Sequence, residues 1–164
     1  MQVFYSDQNV LWDWSVPSVF LAGPTPRSED VPSWRPAALK ILADWGFRGQ
    51  VLVPERRDWQ DGFEYESQVA WEWAGLDTCD AIVFWVPADP VCLPALSTRT
   101  EFGGYIVSAA SRCVYGRPDG SYKTLYLDQW YRRFVQDDPL TTLEDTLALA
   151  VAKADLNFQF KDDY

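Results

Sequence analysis

The stretch AIVFWVPADPVCLPALSTRTEFGG, residues 81–104, determines the fold that this sequence predicts. It opens with an unbroken apolar run of strand length, bounded by Asp80 and Pro87, which is typical of a central strand buried on both faces of a parallel α/β sheet. Ligands bind outside the carboxyl ends of such strands, at one edge of the sheet. We therefore expect the loop that follows Pro87 to contribute residues to a binding site.

Glu101, near the end of this stretch, is a candidate nucleophile. Three hydroxyl side chains that can cap a helix precede it, namely Ser97, Thr98 and Thr100. This spacing predicts that Glu101 lies in the first helical turn, where the helix dipole and the free N–H groups favour an ionised carboxylate. An exposed, ionised carboxylate held in place can act as a nucleophile. The alternative is that Glu101 only completes the start of a helix.

Strand-like and helix-like segments alternate along the whole chain. This alternation predicts a Rossmann-like (flavodoxin-like) α/β fold with a parallel sheet of about five strands and helices on both faces. No internal repeat or linker divides the sequence, so we expect a single domain over residues 1–164. The predicted strands are residues 2–5, 18–23, 50–54, 81–87 and 112–115, and the predicted helices are residues 37–45, 65–76, 101–107, 124–134 and 141–154.

Polar and glycine residues predict where two of these helices begin or end. Ser33 is placed to cap the helix at residues 37–45, and Gly46 is placed to end it. Thr141 precedes Glu144 by three residues, which is the spacing of a capping box at the start of the last helix. Asp80, at the amino end of the central strand, is expected to serve as a cap or turn acid rather than in catalysis.

Composition and charge exclude several classes of function. The net charge of −10 and the pI near 4.3 would repel a phosphate backbone, so we do not expect a nucleic-acid polymer as partner, although single nucleotides remain possible. The sequence has no histidine and its three cysteines are not clustered, so neither a zinc site nor histidine-based catalysis is expected. Acid and base chemistry then falls to carboxylates, and we expect no metal and no organic cofactor.

The cysteine spacing and the hydropathy pattern give expectations about location. The three cysteines show no CxxC spacing, and this fits a reducing cytoplasm. The sequence shows no charged-then-apolar amino-terminal signal and no apolar stretch long enough to cross a bilayer. We therefore expect a soluble, cytoplasmic protein without a membrane partner.

The aromatic content favours a homo-oligomer. Nine Trp, nine Phe and eight Tyr exceed what one small core needs, and such side chains also suit a subunit interface or a base-stacking pocket. Residues 156–164 alternate apolar and polar positions, which predicts a strand or an arm whose Tyr164 carboxylate could reach a neighbouring subunit. A disordered tail is the alternative.

Several motifs, taken in their order, resemble the nucleoside 2-deoxyribosyltransferase family. They are FLAGP at residues 20–24, SWR at residues 33–35, three acids before the strand IVFWVP at residues 82–87, and TRTEFG at residues 98–103. The three acids are Glu72, Asp77 and Asp80. The resemblance extends over residues 19–118.

This resemblance implies roles for the acids. Glu101 would attack C1′ of a 2′-deoxyribonucleoside, release the base and leave a deoxyribosyl ester that a second base resolves. Independently, breaking an N-glycosidic bond needs one ionised carboxylate and a second acid that protonates the leaving base. Glu72 takes the position of the family's base-contacting acid, which is usually Asp, and Asp77 is the nearby alternative.

The resemblance also implies contacts with the substrate. The matching motif residues are Phe20, Gly23, Pro24, Thr98 and Gly103. Of these, Gly23 follows a strand, where a glycine permits close approach of the backbone to a ligand. Asp89 is the acid in the loop where the family carries its sugar-hydroxyl acid, at a different spacing, and its alternative role is in a turn.

The residues leave two further functions open. One is a nucleoside or nucleotide N-glycosidase, in which water resolves the ester and Arg27, Arg56 or Arg117 holds a 5′-phosphate. The other is a noncatalytic nucleotide-binding module that keeps the pocket for recognition. Glu55 follows the second buried strand and lines the cleft in one interpretation, or lies in a solvated loop in the other. The sequence does not distinguish purine from pyrimidine or nucleoside from nucleotide.

Overall fold

Strands and helices alternate in the computed structural model, which describes residues 1–27, 30–57 and 64–160. Within these ranges the strands are β1 (Gln2–Tyr5), β2 (Ser18–Ala22), β3 (Gln50–Val53), β4 (Ala81–Trp85) and β5 (Cys113–Gly116). The helices are α1 (Arg35–Asp44), α2 (Tyr65–Thr78), α3 (Leu96–Ser108), α4 (Leu125–Val135) and α5 (Leu143–Gln159).

The five strands form one sheet in which all neighbours are parallel, in the order β1-β3-β2-β4-β5. The central pairing places Val19 opposite Ala81 and Leu21 opposite Val83. Every residue of β2, β3, β4 and β5 is buried, as expected for strands that helices cover on both sides. The predicted flavodoxin-like α/β fold is therefore confirmed.

Two apolar cores lie on the two faces of the sheet. On one face, α2, α3 and α4 pack through residues such as Leu76, Phe102 and Tyr131. On the other face, α1 and α5 pack through residues such as Leu42 and Leu147. Alternate side chains of each strand enter opposite cores, because successive side chains of a strand point to opposite faces. In the described ranges, no helix is both long enough and apolar enough to cross a membrane.

The first helix ends where the glycine signal indicates, but it begins at Arg35, two residues before the predicted start. Gly46, with φ of +72°, follows the C-cap of α1 and ends the helix in the left-handed conformation that glycine favours. The N-cap residue is Trp34 rather than Ser33. Ser33 still contributes, because its Oγ accepts a hydrogen bond from the backbone N–H of Arg35 at 3.2 Å.

The last helix differs from the prediction at both ends. Its N-cap is Thr142, one residue beyond Thr141, and the Thr142 hydroxyl accepts from the backbone N–H of Asp145 while donating to the Asp145 carboxylate. Asp145 thus fills the place predicted for Glu144. The helix continues to Gln159, so the tail predicted as a strand or arm is helical up to that residue. Tyr164 lies outside the described residues.

Asp80 ties the start of β4 to the start of β2. Its carboxylate accepts hydrogen bonds from the backbone N–H of Ser18 at 2.9 Å and from the Ser18 hydroxyl at 2.7 Å. These contacts lie at the amino ends of the strands. The predicted structural role of Asp80 is confirmed.

Candidate active site

A cavity of about 140 Å³ opens at the carboxyl edge of the sheet. Loops after β2, β3 and β4 form its walls, and α1, α2 and α3 each contribute a charged side chain. This is the place where ligands bind in open parallel sheets, and the loop after β4 reaches it as predicted. The lining residues are Gly23, Pro24, Thr25, Arg27, Arg35, Pro54, Glu72, Pro94, Ala95, Leu96, Ser97, Thr98 and Glu101.

Glu101 enters the cavity from the second turn of α3, not from the first turn as predicted. The helix begins earlier, at Leu96, after Ala95 turns the chain in a left-handed conformation with φ of +56°. No side chain caps this end, and the hydroxyl of Thr100 donates instead to the carbonyl of Leu96. The hydroxyl residues before Glu101 thus lie inside the helix, which is why the local pattern gave the wrong start.

The surroundings of Glu101 favour its neutral form. The pKa of Glu101 is raised from its ordinary value of 4.5 to about 7, chiefly by burial and also by the nearby Glu72 carboxylate, while the charge of Arg35 opposes the rise. The prediction that a helix start keeps Glu101 ionised is therefore wrong, because the residue lies in the second turn, where burial and a like charge favour the neutral carboxyl group. Near neutral pH, Glu101 divides between carboxylate and carboxylic acid.

Glu72 enters the same cavity from α2, and its negative charge acts on Glu101. Burial raises the pKa of Glu72, while a hydrogen bond from the Gln68 side-chain amide at 2.7 Å and the charge of Arg35 lower it. Two carboxyl groups that interact in this way titrate as a pair, and one can remain protonated while the other is ionised. Such a pair can hold one ionised and one protonated carboxyl group in the same cavity.

Close packing of α2 on the sheet sets the position of Glu72. Gly75, three residues later, has no room for a side chain, because a Cβ there would lie 2.7 Å from the ring of Phe20 and 2.8 Å from Leu52. Phe20 is fully buried beneath this helix and packs against Trp71 with ring centroids 6.0 Å apart. It supports the helix that carries Glu72 and does not line the cavity.

Gly23 also permits a close approach to its backbone, but the atoms that approach it belong to other parts of the protein rather than to a ligand. A Cβ on Gly23 would lie 2.3 Å from the backbone oxygen of Trp85 and 2.8 Å from the ring of Trp34. The loop after β2 can therefore pack against the end of β4. Gly23, Pro24 and Thr98 all line the cavity, where the sequence expected substrate contacts.

Three other predicted site residues lie away from the cavity. Asp77 is exposed and accepts a hydrogen bond at 2.6 Å from the hydroxyl of Tyr105, which links α2 to α3. Asp89 is exposed and accepts from the backbone N–H groups of two residues after it, as in its alternative role in a turn. Gly103 borders a separate, apolar pocket of about 230 Å³ between α3 and α4.

Arg35 is a cavity residue to which the sequence assigned no role. It is the first residue of α1, where a positive charge opposes the helix dipole, and the signal available in the sequence was its place in the motif SWR at residues 33–35. Its guanidinium pairs at 2.6 Å with Glu55, which follows β3. Glu55 is thus neither a cavity residue nor part of a solvated loop.

Of the cations proposed for a phosphate, Arg27 lines the cavity, whereas Arg117 pairs with Asp128.

Comparison with known proteins gives one family. A protein-family model described as "Nucleoside 2-deoxyribosyltransferase like" matches residues 16–119. The match begins before β2 and ends after β5, so it includes every residue that lines the cavity. No curated protein matches the chain.

Proposed function

This chain belongs to the nucleoside 2-deoxyribosyltransferase-like family, and on that premise we propose that it transfers a 2-deoxyribosyl group from one nucleobase to another. The observation that supports the proposal is that Glu101 and Glu72, from two different helices, line one cavity at the carboxyl edge of the sheet. Family membership implies a small nucleoside-type ligand.

In the proposed reaction, Glu101 is the nucleophile. Its ionised carboxylate forms a bond to C1′ of a 2′-deoxynucleoside as the bond from C1′ to the base nitrogen breaks. The sugar passes through an oxocarbenium-like transition state, which the negative charge of the carboxylate stabilises. The product of this step is a deoxyribosyl ester on Glu101.

Glu72 is the general acid of the same step. Its proton moves to the leaving base, and the resulting carboxylate later takes a proton from the incoming base as that base attacks C1′ and displaces Glu101. Burial raises the pKa of Glu72 and so favours the protonated form that must donate. Because the pKa of Glu101 is raised as well, the two roles require the proton shared by the pair to lie on Glu72 when the reaction begins. Asp77 is less suited to the role, because it lies outside the cavity and bonds to Tyr105.

The test is release and exchange of a base from 2′-deoxynucleosides and their 5′-monophosphates, with and without an acceptor base. A transferase forms a new deoxynucleoside only when an acceptor is present. Release with free deoxyribose as the product, at the same rate with or without an acceptor, would identify an N-glycosidase. No base release from any substrate would leave a noncatalytic binding module as the function.

We also propose that the protein is a homo-oligomer that associates through the outer face of α2, α3 and α4. Large apolar side chains are exposed on each of these helices, including Trp73, Val107 and Tyr126. Large exposed apolar side chains on neighbouring helices of one layer favour an interaction site on that face.

A further inference from the structure

Arg35 is a buried positive charge that borders the cavity, and the proposed reaction assigns it no role. Only 1% of its surface is exposed, and it is the largest side chain to be fully buried in the described ranges. Burying a charge destabilises the folded state unless hydrogen bonds and an opposite charge compensate it. The contacts of Arg35 therefore indicate its role.

The guanidinium holds the loop that forms one wall of the cavity. Its Nε donates to the carbonyl of Leu21 at 3.0 Å, and Nη2 donates to the carbonyl of Gly23 at 2.6 Å. Nη1 donates to the hydroxyl of Thr25 at 3.2 Å. Since Gly23 and Thr25 line the cavity, the position of this wall depends on a planar fork that lysine cannot reproduce.

One carboxylate compensates the charge of Arg35 directly. Nη1 also donates to Oε1 of Glu55 at 2.6 Å, and the hydroxyl of Ser33 donates to the same oxygen at 2.8 Å. These contacts use four of the five N–H groups of a guanidinium. The fifth, on Nη2, has no partner among the described residues, while Arg35 borders the cavity.

The remaining charges at the cavity come from the other elements packed around it. Glu72 on α2 and Glu101 on α3 are both within the electrostatic reach of Arg35. Arg27, in the loop after β2, is the other cation of the lining and is exposed to solvent. Arg35 is therefore the buried positive charge beside the pair of carboxyl groups.

We propose that Arg35 is a positioning residue of this site: it fixes the cavity wall at Gly23 and Thr25, and its charge keeps one carboxyl group of the Glu72–Glu101 pair ionised. The inference rests on the proposed function for its catalytic consequence. Its electrostatic part concerns the free protein and can be measured without substrate.

The first experiment tests whether Arg35 fixes the position of the cavity wall. Arg35→Lys keeps the positive charge but loses the fork, so kcat should fall about 10-fold or more, as expected when a substrate is held slightly out of place. The pH at which kcat/KM falls on the acid side should stay at the wild-type value. Lys40→Met is the matched control, since Lys40 lies on the exposed face of the same helix and pairs with Asp44. This control should retain wild-type rates.

The second experiment tests whether the positive charge of Arg35 lowers the pKa of Glu101. Glu55→Gln is made first, so that no unpaired carboxylate remains, and Arg35→Met is then added to it. Without the positive charge the pKa of Glu101 should rise by about one pH unit, which is the low end of the effect of an opposite charge at close range. The acid limb of kcat/KM should move to higher pH by the same amount. Should the double variant not fold, Arg35→Gln keeps amide donors without the charge and replaces Arg35→Met.

Nuclear magnetic resonance of carbon-labelled glutamate side chains follows Glu101 in the free protein, with Glu101→Gln to assign its signal. An unchanged titration of Glu101 in the uncharged variant would overturn the electrostatic part, even if no base release were found. Wild-type kcat in Arg35→Lys would overturn the positioning part. Loss of the proposed function itself would appear as absent base release in the wild type, while the titration result would still stand.

Discussion

Glu101 and Glu72 show how burial decides the chemistry of a carboxyl group. Both acids line one cavity, each from a different helix, and burial raises the pKa of each. For Glu101 the result is a pKa of about 7. A group with this pKa changes its charge near neutral pH, so the pH dependence of the proposed reaction should report on it directly.

We predict that kcat/KM falls as the pH is lowered through about 7, because protonation of Glu101 removes the nucleophile. An ordinary glutamate would keep its charge down to about pH 4.3. The measurement is the rate of base release at low substrate concentration from pH 4 to 10. An acid limb that begins only below about pH 5 would show that a fully solvated carboxylate carries the reaction.

Glu72→Gln should change both sides of the pH profile. Removing its negative charge lowers the pKa of Glu101, so the acid limb should move to lower pH. The alkaline limb should disappear together with most of the rate, because the variant has no proton to donate to the base. Asp77→Asn is the matched control on the same helix and should keep both limbs. If Asp77→Asn lost the alkaline limb while Glu72→Gln kept it, the general acid would be Asp77.

At the scale of elements, a buried charge network joins α4 to the end of β5. Asp128 is almost fully buried and accepts hydrogen bonds from Arg117 Nε at 3.0 Å, from Arg117 Nη2 at 2.7 Å and from the Tyr115 hydroxyl at 3.0 Å. Burial alone would raise the pKa of Asp128, but the hydrogen bonds from Arg117 and Tyr115 outweigh it and lower the pKa. The network should therefore stabilise the folded state.

Asp128→Asn should lower the free energy of unfolding by about 3 kcal/mol at neutral pH, because it leaves Arg117 without its buried partner. Since the folded-state pKa of Asp128 lies below the unfolded value of about 3.9, this contribution is complete above that value. It is lost as the pH falls through the folded-state pKa. The difference between wild type and variant in urea unfolding should therefore shrink at strongly acid pH.

Asp119→Asn is the control for this network. Asp119 also approaches Arg117, with Nη1 and Oδ1 3.9 Å apart, but its side chain is exposed. An ion pair at the surface contributes little, so this variant should unfold like the wild type. Equal losses in the two variants would contradict the role given to the buried pair.

The sequence predicted those elements whose signals are local. The buried strand at Ala81–Trp85 and the glycine stop of α1 follow from short patterns of side-chain type, and both are present. The start of α3 could not be read in this way, because an alanine in a left-handed conformation begins the helix and three nearby hydroxyl residues suggested a later start. Local pattern thus placed Glu101 in the correct helix but in the wrong turn.

The site was predictable only in part, because several contacts join distant segments. Glu101, Glu72, Gly23, Pro24 and Thr98 were assigned to it and do line one cavity. Gly103 occupies a motif position and Asp89 lies in the loop where the family carries an acid, yet the path of the chain directs both away from the cavity. The contacts of Arg35 come from β2, its following loop and the end of β3, and no sequence spacing reveals such a network.

At the scale of the whole molecule, the outer face of α2, α3 and α4 remains exposed. Val107 on α3 is 53% exposed and Trp73 on α2 is 61% exposed. We predict that the protein sediments as an oligomer at micromolar concentration, and that Val107→Asp shifts it toward the monomer by placing a charge in the buried contact. Leu156→Asp, at an exposed position on α5 across the sheet, is the control and should keep the oligomer. A monomeric wild type would contradict the proposal.

In the proposed reaction, Glu101 carries the deoxyribosyl group as a covalent ester. This role of Glu101 is tested most directly by mixing the protein with a 2′-deoxynucleoside without acceptor base, quenching within the first turnover, and sequencing the peptides by mass spectrometry. The account predicts a 2-deoxyribosyl group on Glu101, its disappearance when an acceptor base is added, and its absence in Glu101→Gln. Base release without any modified peptide, or with the sugar on Glu72 instead, would contradict the account.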